Sequence, residues 1–361
     1  MPELSEQEKD KRNKLKEEKP YVCEKIRKFS EKVARGESIA IIRLEYSYLC
    51  NFRCEHCCVK SFMLTKKQQI ADARRHMTLE DVRDLSRQAD EMGLARFVIT
   101  GGEPLTYKDF DRLVEAIDPN KHYVIFDSNG WFLDAERAKH IKSIGVDKVQ
   151  LSLDSVYPEE HDHFRRQPGS YKRVMRAIDA SVKAGLNVIL QTCLTKNKAG
   201  TEEFLKLCQL AKDKCIGLYV SYAKPVGAYL GNLDCLITQE DADMIRELEK
   251  EYPVFTHMTT SYGLNQGCIT MKGIVTVTSD GHVEPCPYIH VSIGNIFKEP
   301  FRDIIERGMR IRQFGEYRPD CIIGEDIKFI KLITEKTIDH LNDGRQLPIP
   351  WKNVFTEEDF M

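Results

Sequence analysis

Four cysteines lie close together in the segment YSYLCNFRCEHCCVKSF (residues 46–62), at Cys50, Cys54, Cys57 and Cys58. The first three form a C-x3-C-x2-C pattern, which is short enough for one loop to place three thiolates around one metal centre. Such a loop suits a zinc site, a [4Fe-4S] cluster with four cysteine ligands, or a [4Fe-4S] cluster with three ligands and one open iron. Zinc sites usually show paired C-x2-C units, and a four-cysteine cluster would need Cys58 although it adjoins Cys57. The spacing favours the three-cysteine cluster and leaves the other two open.

A second pair of cysteines, Cys268 and Cys286, flanks the segment GIVTVTSDGHVEPC. Its alternation of apolar and polar residues around Asp280 and Gly281 predicts a β-hairpin. By themselves, two cysteines on either side of a hairpin are buried thiols or half of a zinc site.

Composition limits what twelve cysteines can do. The chain has 361 residues, 42% hydrophobic and 30% charged, which suits one large or two modest domains with a core that needs no disulfides. A charged N-terminus and the lack of a long apolar run predict a cytoplasmic protein, in which cysteines act as metal ligands, catalytic groups or buried thiols. The net charge of −2 and a pI near 6.6 favour neither a nucleic acid nor a membrane as partner.

The elements that must position these cysteines alternate in type between residues 39 and 225. Six short apolar runs predict strands, and amphipathic runs of ten to fifteen residues between them predict helices, one of them opened by a Thr78-x-x-Asp81 cap. Such alternation predicts right-handed βαβ units on a parallel sheet. Because six strands are too few to close an eight-stranded barrel, we expect an α/β fold with a partial, TIM-like (β/α)6 barrel.

Polar segments follow the predicted strands directly. They are the cysteine segment, TGGEP, SNG, SLDS and TCLTKN. Since the carboxyl ends of parallel strands meet at one face, we expect these segments to lie together there.

These segments carry a resemblance to a known family. CNFRCEHC resembles the cysteine signature of radical S-adenosylmethionine (SAM) enzymes, and TGGEPL resembles their GGEP motif. The segments SNG, SLDS and PVGA follow in the order and spacing of the family's cofactor-binding strands. The resemblance covers about residues 39–230.

The resemblance implies a set of cofactor ligands. Cys50, Cys54 and Cys57 would hold a [4Fe-4S] cluster, and the amino and carboxylate groups of SAM would chelate its open iron. The GGEP segment would bind the methionyl ammonium through backbone carbonyls and the Glu103 carboxylate. Further contacts, to the ribose or the methionyl group, would come from strand ends. The expected SAM-binding residues are Gly101, Gly102, Glu103, Pro104, Ser128, Asn129, Ser152, Asp154 and, for the SAM carboxylate, Arg165 or its neighbour Arg166.

The hairpin segment, read after such a core, resembles the start of the SPASM and twitch auxiliary-cluster modules. The later cysteine block of a full SPASM pattern is missing, and only Cys321 follows. The resemblance therefore implies a reduced, α+β module with one auxiliary [4Fe-4S] cluster on Cys268, Cys286 and Cys321. Its fourth iron would be open to substrate or held by Asp320, Glu325 or Asp326.

Several nearby residues have simpler explanations. Cys58 and Cys193 are interpreted as packed thiols, and His161 and His163 as part of the SAM-contacting segment and not as metal ligands. Three residues near the auxiliary cysteines could contact substrate but have packing as their default role: Tyr262, Tyr288 and His290.

The predicted organisation has five segments. They are a charged N-terminal helix or arm (1–38), the radical SAM partial barrel (39–235), a linker helix region (236–264), the auxiliary module (265–330) and a C-terminal helix and tail (331–361).

The expected function is that of a radical SAM enzyme, which reductively cleaves SAM to a 5′-deoxyadenosyl radical and abstracts hydrogen from its substrate. A flavodoxin- or ferredoxin-type protein would supply the electron. We expect a small-molecule substrate, such as a natural-product intermediate or cofactor precursor, because about forty residues before the barrel are too few for a peptide-recognition domain. Peptide maturation is the alternative within the family. A non-catalytic iron–sulfur or zinc protein is the alternative outside it, although TGGEPL and SLDS would then be coincidences.

Overall fold

The computed structural model describes residues 6–64, 72–259 and 265–361. The six predicted strands are present, and each pairs in parallel with the next along the chain. This confirms the α/β class and the open barrel. The strands are β1 (Ile41–Ser47), β2 (Arg96–Gly101), β3 (Tyr123–Ser128), β4 (Lys148–Ser152), β5 (Asn187–Leu194) and β6 (Gly217–Tyr222).

Helices separate these strands and pack apolar faces on the sheet. The capping box predicted at Thr78 is confirmed, because the Thr78 side chain accepts from Asp81 N while the Asp81 carboxylate accepts from Thr78 N. Leu85 and Ala89 of the helix that follows are buried. The helices of the barrel are α4 (Leu79–Glu91), α5 (Phe110–Ile117), α6 (Ala135–Ser143), α7 (Pro158–Arg165), α8 (Ser170–Lys183) and α9 (Glu202–Asp213).

Three helices precede β1, namely α1 (Glu6–Glu18), α2 (Pro20–Arg27) and α3 (Phe29–Ala34). The charged composition favoured a solvated helix or arm, yet part of this region is buried. Lys19 pairs with Asp147 at 2.6 Å, and Lys25 pairs with Asp90 at 2.9 Å. These ion pairs compensate the two lysine charges that burial removes from water. The N-terminal segment can therefore pack against the end of α4 and the loop before β4.

The predicted hairpin is present as β8 (Ile274–Val277) and β9 (His282–Glu284), with Gly281 at φ +82° in its turn. Its position was not predicted. Strand β8 pairs in parallel with β1, from Ile41↔Ile274 to Leu44↔Val277, and so extends the barrel sheet at its first edge. All four residues of β8 are buried, as expected for a strand inside a sheet covered on both faces.

The remaining elements complete the far edge of the sheet and the C-terminal part. Strand β7 pairs with β6, and β10 pairs with β12. No described helix is both long and apolar enough to span a bilayer. These elements are α10 (Gln239–Glu251), β7 (Val254–Phe255), β10 (Val291–Ser292), β11 (Gly294–Asn295), α11 (Phe301–Arg310), α12 (Arg312–Gly315), α13 (Ile327–Asn342) and β12 (Ile349–Pro350).

Candidate active site

One cavity opens at the carboxyl ends of the barrel strands. As the strand-end rule predicts, its wall combines the cysteine loop, the GGEP segment and residues that follow later strands. The sequence-predicted residues that line it are Cys50, Cys54, Cys57, Gly101, Gly102, Glu103, Ser128, Asn129, Ser152 and Arg165. Pro104 and Asp154 are not part of this lining.

The three cysteines of the C-x3-C-x2-C pattern are free and half-buried. Backbone contacts fix their loop at both ends, because Phe52 N donates to Cys50 Sγ at 3.4 Å and Ala228 N donates to Cys57 O at 2.9 Å. A Cβ on Gly227 would lie 2.3 Å from the Cys57 and Cys58 carbonyl oxygens. The PVGA segment therefore packs directly against the backbone of the cysteine loop, and only glycine fits at position 227.

Burial favours the protonated thiols of Cys50 and Cys57 in the absence of a metal. It raises the pKa of Cys50 to about 11 and that of Cys57 further. Because metal ligation requires thiolates, loading this loop would release protons.

His56 and Cys58, the two neighbours of the ligand positions, have different roles in the loop. The His56 ring stacks on Phe164 with centroids 4.3 Å apart, and its buried Nδ1 has no hydrogen-bond partner among the described residues. Cys58 lines the cavity beside the three-cysteine pattern, and burial raises its pKa to about 12.

The glycines after β2 allow the cysteine loop to approach the sheet. Gly102 N donates to Ser47 O and Glu103 N donates to Leu49 O, both at 2.8 Å. A Cβ on Gly102 would lie 1.9 Å from Leu49 O. The backbone of the cysteine loop therefore occupies the space that a side chain at Gly102 would need.

Glu103 is buried and already hydrogen-bonded within the chain. Its carboxylate accepts from Ser128 Oγ at 2.9 Å, Asn129 N at 2.7 Å and Leu105 N at 3.2 Å. Burial outweighs these bonds and raises the pKa of Glu103 to about 7. Ser128 and Asn129 thus hold a carboxylate at the cavity wall.

Arg165 and Arg166, the two arginines that the sequence leaves as alternatives, have opposite environments. Arg165 is buried and lines the cavity, whereas Arg166 is exposed in a left-handed conformation (φ +51°) after α7. Arg165 Nε donates to Asp154 Oδ2 at 2.6 Å, and its Nη1 lies 3.9 Å from Cys54 Sγ.

Asp154 lies behind Arg165 and orients it. Its second oxygen accepts from Cys193 N at 3.0 Å, and Asp154 N donates to His161 Nδ1 at 3.2 Å. Burial raises the pKa of Asp154, but the Arg165 guanidinium, His56, His161 and the hydrogen bond from Cys193 N together outweigh burial and hold this pKa below its usual value. His161 is thereby committed to the backbone, while His163 is exposed.

The cavity also contains residues that the sequence argument missed. Arg43 on β1 donates to Asp127 Oδ2 at 2.7 Å and to Thr100 Oγ1 at 3.1 Å, which forms a polar layer inside the barrel. Lys224, two residues after β6, lines the same cavity and is buried. Lys224 obeys the strand-end rule and could have been found by it. Arg43 could not, because it is within a strand and its direction depends on the closure of the sheet.

The second set of cysteines is more deeply buried. Cys268, Cys286 and Cys321 are 3%, 6% and 2% exposed, so a ligand there is shielded from water. Cys268 and Cys321 are hydrogen-bonded to each other, and this contact lowers the pKa of Cys268 to about 5 while it raises that of Cys321. The described residues contain no set of three Cys, His, Asp or Glu side chains arranged around a single metal ion.

The three carboxylates considered as a fourth auxiliary ligand each have a partner. Asp320 and Asp326 pair with Arg318 at 3.2 and 2.7 Å, and Glu325 accepts from Cys321 N at 2.7 Å. Tyr288 faces the main cavity and His290 contacts Glu284, whereas Tyr262 lies outside the described residues.

Comparisons with known proteins agree with this arrangement. A model of the radical SAM superfamily matches residues 44–213, and a model of the SPASM iron–sulfur cluster-binding domain matches residues 268–323. A GTP 3′,8-cyclase of Helicobacter pylori J99 is 30% identical over 320 residues, which cover 83% of this chain and 89% of that protein. An AdoMet-dependent heme synthase of Methanosarcina barkeri is 25% identical over 326 residues, covering 81% and 90% of the two chains.

A similar fold occurs in a solved structure. Streptococcus suis SuiB, bound to its precursor peptide SuiA, superposes with a TM-score of 0.58 at 18% identity, covering 78% of this chain and 69% of that chain.

Proposed function

The chain belongs to the radical SAM superfamily and is a radical SAM enzyme with a SPASM iron–sulfur domain, and on that premise we propose which residues hold its cofactors and what class of substrate it takes. The observation that carries the proposal is the convergence of three cysteines, a glycine-rich edge and polar strand ends on one cavity.

Cys50, Cys54 and Cys57 would hold the [4Fe-4S] cluster. The donor set fits, because three free thiols face one cavity on a loop that Gly102 and Gly227 allow to pack closely. When bound and reduced, the cluster and SAM together supply a carbon-centred radical that abstracts hydrogen from a substrate.

SAM would bind between the GGEP segment and the ends of β3 and β4. Gly101, Gly102, Glu103, Ser128, Asn129 and Ser152 line this part of the cavity. Arg165 would pair with the SAM carboxylate, since its guanidinium lies beside Cys54 and is fixed by Asp154. Asp154 and Pro104 lie outside the cavity lining and would position the residues that contact SAM.

Cys268, Cys286 and Cys321 would hold the auxiliary cluster within a module of about residues 265–330. The site fits a buried iron–sulfur group, because the three thiols are shielded from water and the contact with Cys321 favours the thiolate of Cys268. The nearby carboxylates all have partners within the chain, which supports a fourth iron that is open or held by another group.

The substrate would be a small molecule. Two relatives are named for small molecules, heme and GTP. A flavodoxin- or ferredoxin-type reductant would approach beside Cys50, where Leu49 and Arg53 are exposed.

The test is anaerobic reconstitution with iron and sulfide, followed by reductant and SAM. The wild type should release 5′-deoxyadenosine, as measured by chromatography and mass spectrometry, and a Cys54→Ala variant should not. A Cys268/Cys286/Cys321 triple alanine variant should lose the iron of one cluster yet keep SAM cleavage. Absence of 5′-deoxyadenosine from a fully loaded, reduced wild type would refute the proposal.

A further inference from the structure

Three cations line the main cavity, and they differ in how their charge is compensated. Arg43 pairs with Asp127 at 2.7 Å, and Arg165 pairs with Asp154 at 2.6 Å. Across residues 6–64, 72–259 and 265–361, no carboxylate pairs with Lys224, which is 4% exposed.

The contacts of Lys224 hold its ammonium in place without neutralising it. Nζ donates to the Tyr222 backbone carbonyl at 2.7 Å and lies 4.3 Å from the centroid of the Tyr288 ring. The Tyr288 hydroxyl is in turn hydrogen-bonded to Ser221 Oγ at 2.7 Å. An ammonium has three N–H donors, so these contacts leave donor capacity at the cavity wall.

A buried charge without a counter-ion is costly, and proteins retain one where a ligand compensates it. Tyr222, Tyr288 and Lys224 all line the cavity, so a molecule in the cavity can reach the ammonium.

Lys224 also lies close to one of the auxiliary cysteines, Cys321. A Cβ on Gly324 would lie 3.1 Å from Cys321 Sγ and 3.8 Å from Lys224 Cε, which places the lysine stem beside the auxiliary cysteines. An anion bound by Nζ would therefore sit on the auxiliary side of the cavity, away from the GGEP segment.

We propose that Lys224 binds an anionic group of the substrate, a carboxylate or a phosphate, on the auxiliary side of the cavity. This inference rests on the proposed function and specifies its substrate class. Tyr288 and the Tyr222 carbonyl orient the ammonium, and the aromatic wall favours a substrate with a flat apolar part next to its anion.

The experiment uses reconstituted, SAM-loaded enzyme and three probes of similar shape: benzoate, phenyl phosphate and the neutral benzamide. Dissociation constants are measured anaerobically by calorimetry for the wild type, Lys224→Met and Lys224→Arg. Lys25→Met is the matched control, since it removes a buried ammonium that pairs with Asp90 far from the cavity. An anion should bind to the wild type at least tenfold more tightly than benzamide, and Lys224→Met should abolish this preference.

Lys224→Arg should retain most of the preference, and Lys25→Met all of it. A preference for benzoate would identify a carboxylate, and one for phenyl phosphate a phosphate. Equal binding of anions and benzamide by the wild type, or an unchanged preference in Lys224→Met, would overturn the proposal.

A second measurement separates substrate binding from a role in compensating the auxiliary cluster. Iron content and the electron paramagnetic resonance spectrum of the reduced enzyme should be unchanged in Lys224→Met. If this variant loses auxiliary iron or signal while the anion preference persists, Lys224 serves the cluster and the inference fails. Formation of 5′-deoxyadenosine by the wild type without probe tests the proposed function independently, so the two failures are distinguishable.

Discussion

Glu103 illustrates at the residue scale how one side chain is subject to opposing effects. Three donors, from Leu105, Ser128 and Asn129, stabilise its carboxylate, while complete burial disfavours the charge and prevails. A cation placed against it would reverse the balance, as expected where SAM is proposed to bind.

The raised pKa of Glu103 predicts a pH-dependent cost to stability. Its pKa is about 7 in the folded chain against 4.5 without the fold, so the folded chain binds the proton more tightly. Protonated Glu103 contributes roughly 3 kcal/mol to the free energy of unfolding. This contribution is complete below about pH 4.5 and is lost as the pH rises to about 7.

The measurement compares urea unfolding of cluster-free wild type and Glu103→Gln at several pH values from 5 to 8. The variant should gain stability relative to the wild type as the pH rises. Glu115→Gln, at an exposed position on α5, should follow the wild type. Parallel curves for the wild type and Glu103→Gln would contradict the assigned burial effect.

Gly102 gives a steric prediction at the same scale. In Gly102→Ala the new Cβ would lie 1.9 Å from Leu49 O, so the cysteine loop has to move. Overpacking of this kind costs about 1–3 kcal/mol, and here the cost falls on the geometry of Cys50, Cys54 and Cys57. We expect at least a tenfold loss in the rate of 5′-deoxyadenosine formation and reduced iron retention. Gly200→Ala is the matched control, because its Cβ would meet only Met244 Cε at 3.7 Å, and it should keep both properties.

The sequence predicted which residues lie together only where their spacing within one segment determines this. Cys50, Cys54 and Cys57 share one loop, so the pattern alone brings them together. Asp154 was predicted to contact the cofactor, which stays a prediction, and in the structure its carboxylate holds Arg165. Sequence spacing cannot distinguish a residue that contacts the cofactor from one that supports such a residue. The difference depends on whether Arg165 or Asp154 lies nearer to the cavity.

At the scale of elements, strand β8 is the feature that the sequence placed least well. Its hairpin was predicted from Asp280-Gly281, and the six barrel strands from alternating apolar and amphipathic runs. Pairing of β8 with β1 joins segments more than two hundred residues apart, and no local pattern specifies such a partner. Thr276 of β8 and Thr278 of its turn are both buried in this sheet.

Those threonines allow a matched test. Thr276 Oγ1 is buried and has no hydrogen-bond partner among the described residues, whereas Thr278 Oγ1 bonds to Asp280 at 2.6 Å and accepts from His282 N at 3.0 Å. Thr276→Val should therefore leave the free energy of unfolding unchanged or raise it slightly, while Thr278→Val should lower it by about 1–3 kcal/mol. Denaturant unfolding of the cluster-free variants measures both. An equal loss in the two would show that the Thr276 hydroxyl is satisfied by another group, such as a water molecule.

At the scale of the whole molecule, the predicted segment boundaries do not interrupt the packing. The sheet runs from β6 through β1 into β8, and one apolar core contains Leu44 of the barrel together with Val277 and Phe314 of the C-terminal part. A smaller cluster joins Val59 and Phe62, after the cysteine loop, to Leu347 and Ile349 near the C-terminus.

This continuity predicts that the barrel and the C-terminal part unfold together, and the two tryptophans of the chain can test it. Trp131 lies in the barrel, where its ring meets Phe52 edge-on, and Trp351 lies in the C-terminal part against Phe360. In Trp351→Phe the fluorescence reports the barrel, and in Trp131→Phe it reports the C-terminal part. The urea midpoints of the two variants should coincide with the single midpoint that circular dichroism gives for each, because a shared core makes unfolding cooperative. Two separated midpoints within one variant would mean that the C-terminal part unfolds as an independent unit.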